Sequence, residues 1–382
     1  MAGVAKGGVI QHPIIIAGGG IGGLAAALAC AKAGRQTIIL ERAAAFEEVG
    51  AGLQLGPNAV RALKILGAWD EVAAIATAPP AIVMRDARSG SVIRRVRLTE
   101  VFSNRYGAPY RVAHRADLHA ALMACVRRQK KIDIHTGQEI VGLEQYADHV
   151  RLSTKQGTSH VGEILVAADG MNSGLRQKLW PESAAVLAGQ VMHRALIDMP
   201  PGMVDVDCVN LWMGPGYHVV HYPVGSPARL NIICVAHVGQ SPHDIAAVAC
   251  AEVRSLLQTV PQWLPWDAKH VPLLSRWHRD RVLLLGDAAH GTVPFFAQGA
   301  AMALEDAAML CAVLRNGLPL PHGLAEVSNR VARVKAVHKA SVRQGKIYSA
   351  SGLIAFGRNV ALRVLPEDAF LGQLSWLYDY RP

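Results

Sequence analysis

The first apolar run of the chain, Ile14-Ile15-Ile16-Ala17, stops at Gly18. It is short and rich in β-branched residues, as a buried parallel strand requires. It is also too short to cross a membrane and runs straight into glycines, so it is a strand and not the apolar stretch of a signal peptide. From about Leu24 to Ala33 the chain is alanine-rich and reads as a helix, stopped by Gly34. Thr37–Leu40 is a second strand and ends at Glu41. Two later apolar runs also end at an acid beside a glycine: one leads into Ala168-Asp169-Gly170, the other, Leu283–Leu285, into Gly286-Asp287-Ala288-Ala289-His290. Between residues 181 and 269 the pattern changes to alternation. Val209–Met213, Val219–Tyr222 and Leu230–Val235 are predicted strands of a sheet with one buried face. Residues near 76–104 are expected beside it. Further on, Gly299 leads into a long helical run through Leu314, in which Glu305-Asp306 are expected to cap and pack the helix. A second, basic and amphipathic helix is predicted over roughly Leu324–Ser349, on the surface between two domains.

The glycines after the first strand carry the most specific chemistry. Gly18 allows a tight turn, Gly20 lets the backbone approach a pyrophosphate, and Gly23 lets the next helix pack close to the strand. The helix N-terminus then faces the phosphates. Glu41 lies 23 residues after Gly18, near the spacing for binding ribose hydroxyls. An acid there favours an unphosphorylated ribose, so FAD or NAD over NADP. The two later acid-glycine segments suggest one long ligand held along its length, and FAD is the obvious candidate. Gly50–Asn58 reads as a glycine-rich loop against which a planar ring could lie, leading into a helix with Val60, Leu63 and Leu66. His114–His119 opens another helix, with Arg115 in or just ahead of its first turn, where it can reach phosphate in two-pronged fashion.

Composition changes the picture little. The chain has 382 residues, long enough for two or three domains, with 51% hydrophobic and 18% charged residues. A net charge of +10 is spread thinly, densest at Arg94–Arg97 and Arg127–Lys131. That argues against a nucleic-acid binder and fits a field drawing in anionic small molecules. The six cysteines are scattered without metal or redox spacing and read as reduced core residues of a cytoplasmic protein. No metal site is expected. Residues 1–12 read as a loose, weakly basic tail.

These segments, with Arg105–Tyr110, Gly214–Pro223, Pro294–Gly299 and Trp376–Tyr380, make the chain resemble the single-component (group A) FAD-dependent aromatic hydroxylases of the para-hydroxybenzoate hydroxylase fold. Within them it most resembles 3-hydroxybenzoate 6-hydroxylases and salicylate hydroxylases. The resemblance implies an α/β fold with α+β elements: a Rossmann-like FAD-binding domain, an inserted β-sheet substrate domain and C-terminal helices. We expect the FAD domain over 1–75, 105–180 and 270–325, the substrate sheet over 76–104 and 181–269, and a helical segment over 326–382. It implies non-covalent FAD held by Gly18, Gly20, Gly23, Glu41, Arg42, Gly52, Gln54, Arg115, Asp169, Asp287 and Gly299. NADH, favoured over NADPH, would be a transient co-substrate, met in part by Asp169-Gly170. The implied activity is hydroxylation of a hydroxybenzoate-type aromatic acid with O₂ through a flavin C4a-hydroperoxide.

His218 and Tyr222 lie four apart in one predicted strand and so point to one face. The resemblance places such a pair in the aromatic pocket. His218 would promote ionisation of the substrate phenol and Tyr222 would bind its hydroxyl or carboxylate. Val219, Pro294, Phe295 and Phe296 would keep the pocket apolar. The chain departs from its relatives at Gln54, where 6-hydroxynicotinate monooxygenases carry histidine. It departs again at Pro294, where 3-hydroxybenzoate 6-hydroxylases carry glutamine and salicylate hydroxylases resemble this chain. Gly291-Thr292 replaces a proline-containing step. Decarboxylating hydroxylation of salicylate or 6-hydroxynicotinate stays open, as does a non-hydroxylating FAD-binding redox protein. Relatives of this kind are often homodimers.

Overall fold

The structure, a computed structural model, describes residues 12–46, 50–317 and 320–382. The tail expected over 1–12 lies almost wholly outside the described residues. The first apolar run forms the centre of a six-stranded sheet. On one side of Ile14–Ala17 lie Ile164–Ala167, Val282–Leu284 and the edge strand His278–Arg279; on the other lie Thr37–Leu40 and Ile132–His135. All pair in parallel except the edge strand. Ile14, Ile15 and Ile16 are fully buried, because helix Ile21–Lys32 packs on the sheet and the three-stranded antiparallel sheet Ile140–Gln145, Val150–Thr154 and Ser159–Gly162 also lies against it, Gly162 meeting Ile15. That helix begins three residues earlier than the alanine pattern suggests. A side chain on Gly22 would meet Leu285 Cδ2 at 3.2 Å and Ala303 Cβ at 3.6 Å, so glycine in that first turn lets the Gly299–Arg315 helix pack close.

The alternating segments form a seven-stranded sheet, ordered Leu264–His270, Val186–Asp198, Arg229–His237, Tyr217–Val224, Val209–Gly214, Ala81–Asp86 and Val92–Arg97. Neighbours are antiparallel except at the parallel junction between Val209–Gly214 and Ala81–Asp86. One face packs on helices Pro242–Val248 and Ala251–Gln258 through a core that includes Tyr217, Val219 and Leu256. The other face looks into a cleft toward the six-stranded sheet.

Two elements differ from the sequence reading. Gly50–Asn58 is not a loop throughout: Gly52–Leu55 is a strand paired antiparallel with Arg111–His114. Tertiary contact decides this. The Gly52 N–H donates to Asn231 Oδ1 at 2.6 Å, and a Cβ on Gly52 would strike Tyr222 and Asn231. The basic helix is split into Leu320–Ser328 and Val331–Tyr348. At the break, Ser328 Oγ meets Trp277 N at 3.3 Å and His278 Nδ1 at 3.0 Å, while Arg330 turns inward to buried carboxylates. The second of these helices is more than a surface bridge, because Ala340, Gln344 and Tyr348 line the cleft.

Candidate active site

Strand order brings the three acid- and glycine-bearing segments together. Ala17, Ala167 and Leu284 stand side by side at the carboxyl ends of adjacent parallel strands. Gly18, Ala168-Asp169-Gly170 and Gly286-Asp287 therefore emerge next to one another, at the crevice where open α/β sheets bind ligands. The backbone seals the junction: Ala168 N–H donates to Ala17 O at 2.8 Å and Leu285 N–H to Ala167 O at 2.9 Å. Gly18 has φ +98°, and a Cβ there would sit 2.5 Å from Ala168 O. A Cβ on Gly23 would sit 1.9 Å from Gly18 O, whereas one on Gly20 would meet nothing within 4 Å. The turn is thus compressed at its two ends and open in the middle.

Around this turn the structure places the other expected nucleotide residues. Glu41 accepts the Gly19 N–H at 2.7 Å and the Ala43 N–H at 2.9 Å, so its carboxylate braces the glycine turn. Gly20, Arg42, Gly52, Gln54, Arg115, Asp169, Asp287 and Gly299 all line one cleft of about 1720 Å³. Gly18, Glu41 and Gly23 stand behind that lining. Arg115 is the first residue of helix Arg115–Arg127, and its Cβ packs against Gly50. Gln54 accepts from the Tyr110 hydroxyl.

Sequence reasoning missed the group that ties the two acid loops together. Arg176 is fully buried and donates to Ser183 O at 3.0 Å, Ala288 O at 3.0 Å and Met171 O at 2.7 Å. One guanidinium thereby joins the loop after Asp169 to the loop after Asp287. Nothing in the local sequence of Arg176 signals this, since its partners are backbone carbonyls and the one that joins the two loops, Ala288 O, is 112 positions away. Gly291, a departure from the relatives, is explained nearby: a Cβ would lie 2.5 Å from Met171 Sδ.

Glu305 and Asp306 do not cap the Gly299–Arg315 helix; they sit mid-helix at the centre of a buried charge network. Asp306 Oδ2 accepts from Gly286 N at 3.0 Å and lies 2.6 Å from His290 Nε2, while Oδ1 accepts from Arg330 Nε at 2.6 Å. Glu305 accepts from Arg330 at 2.8 Å, from Arg333 at 3.0 Å and from Asn58 Nδ2 at 2.6 Å. Burial alone would raise the Asp306 pKa, but His290 and Arg330 outweigh it and hold the carboxyl below its usual range. The network clamps both ends of the Gly286–His290 segment that carries Asp287. Through Arg333, which donates to Trp376 O at 2.7 Å and Leu377 O at 2.8 Å, it also holds the C-terminal segment.

The roof of the cleft is the seven-stranded sheet. In the strand Tyr217–Val224, His218, Val220 and Tyr222 face the cleft. Val219 does not: it lies in the core on the opposite face with Tyr217. The two-residue period of a strand makes the correction, since a neighbour of His218 cannot share its face. His218 sits edge-on to Phe295 and Tyr348, with ring centroids 5.7 and 5.3 Å apart. Burial in these apolar surroundings pulls its pKa down to about 3, so the ring is neutral. Its Nδ1 is buried without a partner. Burial also raises the Tyr222 phenol above its ordinary value, so it stays protonated. Pro294, Phe295 and Phe296 line the same cleft. Tyr348 and Arg194 line it too, and sequence reasoning found neither.

The residues present fit FAD. The cleft is long, and the open position at Gly20 leaves the backbone reachable. Asp169 Oδ1 is buried with no partner, and burial raises the pKa of this carboxyl, so a ligand donor is wanted there.

Comparison with known proteins agrees. The family model described as FAD binding domain matches residues 11–319. A 3-hydroxybenzoate 6-hydroxylase of Polaromonas naphthalenivorans is 34% identical over 385 residues, covering 96% of each chain. Klebsiella pneumoniae HpxO, solved with FAD and uric acid, superposes with a TM-score of 0.85 at 24% identity, covering 96% of this chain and 97% of the other. A salicylate hydroxylase substrate complex superposes with a TM-score of 0.81 at 22% identity, over 97% and 96% of the two chains. Among the described residues no helix is long and apolar enough to cross a membrane.

Proposed function

This chain belongs to the FAD binding domain family, and from that premise we propose that it is an NADH-dependent aromatic-ring monooxygenase acting on a hydroxybenzoate-type acid. Bound FAD supplies the redox chemistry, taking reducing equivalents from the nicotinamide and activating O₂ for insertion into the ring. The observation that carries the reading is the pairing of a neutral histidine with a protonated tyrosine on one apolar cleft face, opposite the glycine cradle.

The roles of the protein's own residues follow. The Gly18–Gly23 turn and the following helix N-terminus meet the pyrophosphate, with Arg42 and Arg115 supplying positive charge. Glu41 would serve a ribose, Asp287 the ribityl chain, and Asp169 the dinucleotides. Gly52, Gln54 and Gly299, which line the cleft, would hold the ring system. An electron-rich ring is needed for hydroxylation, and a phenolate is far richer than a phenol. The neutral His218 ring accepts the hydrogen bond of the substrate hydroxyl and takes its proton only as the phenolate that forms beside it supplies the counter-charge that apolar burial denies the ring. The Tyr222 hydroxyl donates to the oxygen that loses the proton. Val220, Pro294 and Phe295 exclude water. A homodimer working in the cytoplasm completes the reading; the cysteines, all free among the described residues, suit a reducing compartment.

The test is direct. Purified protein should retain FAD, and salicylate, 3-hydroxybenzoate and 6-hydroxynicotinate are screened for stimulation of NADH and O₂ consumption. Stimulation with a hydroxylated product supports the reading, and product analysis shows whether CO₂ leaves. FAD retention with no stimulation by any aromatic acid would instead make it a non-hydroxylating redox protein.

A further inference from the structure

The cleft face of the seven-stranded sheet is almost entirely apolar, and its exceptions are few enough to read one by one. One row across it runs Met84, Leu211, Val220, Ile233 and then Arg194, each pair in direct register. Of the residues that the strands from Val186 to His237 present to the cleft, Arg194 alone carries a charge. Two other arginines on this side are answered by protein. Arg94 donates to Leu362 O and Leu365 O at 2.6 and 2.7 Å, and Arg358 to Ile347 O and Tyr348 O at 2.7 and 3.2 Å.

Arg194 is not answered. Its Nε is buried with no acceptor, and its terminal nitrogen reaches only the Met192 thioether, at 4.0 Å. No carboxylate among the described residues pairs with it. Its guanidinium carbon lies over the ring of Trp266, 4.9 Å from the centroid. Tyr222 and Arg115 both lie close enough to bear on its charge. A desolvated guanidinium without a counter-ion is costly, and its planar fork at a cleft wall suits a two-pronged anion.

Register sets the distance. Arg194 stands opposite Ile233, and Ile233 opposite Val220, which lies between His218 and Tyr222. Two strand spacings, about 10 Å, separate the backbones of Arg194 and Val220. The Arg194, His218 and Tyr222 side chains all rise from the same face into the cleft, with His218 and Tyr222 flanking the row that ends at Arg194 two strands away. We propose that Arg194 is the carboxylate anchor of the substrate site, gripping the acid group while His218 and Tyr222 hold the ring hydroxyl. The inference rests on the aromatic-acid reading above and deepens it: the site takes aromatic acids and discriminates against neutral phenols of the same shape.

The test uses FAD-loaded enzyme, with binding read from ligand-induced change in flavin absorbance and not from turnover alone. Wild-type enzyme is titrated with the aromatic acid that stimulates it and with the matching neutral amide. The acid should bind about 30- to 1,000-fold more tightly, the range expected for a buried charge pair. Arg194→Met should remove that preference, weakening the acid and leaving the amide within about threefold. Arg194→Lys should recover part of it, because the charge returns without the fork. The KM for NADH should not move. Equal binding of acid and amide by wild type overturns the proposal without any variant. Undiminished acid affinity in Arg194→Met overturns it as well. A loss of NADH affinity in place of acid affinity also overturns it, assigning Arg194 to the phosphates of the co-substrate. In these cases a hydroxylating wild type leaves the proposed function standing. A wild type that binds no aromatic acid removes both.

Discussion

The nucleotide cradle and the sheet-lined cleft face each other across the same cavity, yet they are built by opposite means. The cradle is made of backbone: Gly18, Gly20, Gly23 and Gly286 work by what they lack, and the turn is held by carbonyls and N–H groups. The cleft roof is made of side chains, where one residue in two matters and its neighbour serves another core. The first construction tolerates almost no change of residue type but announces itself in sequence. The second tolerates change but depends on register. The difference teaches where substitutions should abolish the protein's chemistry and where they should retune it.

The sharpest way to break this contrast is Gly23→Val. The new side chain has no room against Gly18 O, so the helix must move, at a cost of about 3 kcal/mol or more. FAD should be lost, read as missing flavin absorbance in the purified protein; a fully yellow variant would show that the turn is not the cradle. Next comes Asp306→Ala. It strands Arg330 and His290 in the interior and should cost about 3–5 kcal/mol in denaturant unfolding. Because the fold lowers the Asp306 pKa, its contribution is present above the unfolded value of about 4 and disappears as pH falls through the folded value. The variant should therefore lose the acid limb of the stability curve that this group supplies.

On the cleft side, His218→Asn should keep FAD and lower turnover on the aromatic acid by about 10²- to 10⁴-fold. The same variant tests the burial argument. His218 titrates at about 3 in the fold and about 6.5 in the unfolded chain, so unfolded protein takes up the proton first as pH falls. Wild type should lose stability through that window, and His218→Asn should lose less. The smallest and most discriminating pair is Val219→Ala against Val220→Ala. The first deletes core volume and should cost about 2 kcal/mol with KM unchanged; the second should shift KM for the acid with less effect on stability. Equal behaviour would erase the two-faced reading of the strand.

Much of the fold and of the nucleotide turn is legible in the amino-acid order. Thr37–Leu40 forms as read, and the alternating segments are all strands of one sheet. The reading fails where distant partners or strand faces intervene. Proximity to His218 suggests a pocket role for Val219, but strand period sends it to the opposite face. The glycines of Gly50–Asn58 suggest a loop, but Asn231 and Tyr222 use the missing Cβ of Gly52 to hold a strand there. Glu305 and Asp306 look like helix punctuation and are instead the buried counter-ions of Arg330 and Arg333. Arg176 and Arg194 carry no local signal at all.

The amino-acid order alone determined the nucleotide turn, its helix and the alternating strands. Those features depend on backbone freedom and side-chain period, which act over a few neighbouring residues. Tertiary structure alone decided that Ala17, Ala167 and Leu284 end side by side, and that Arg194 shares a wall with His218 and Tyr222. Strand order and register bring together segments that lie tens to more than a hundred positions apart, and no local pattern encodes that juxtaposition.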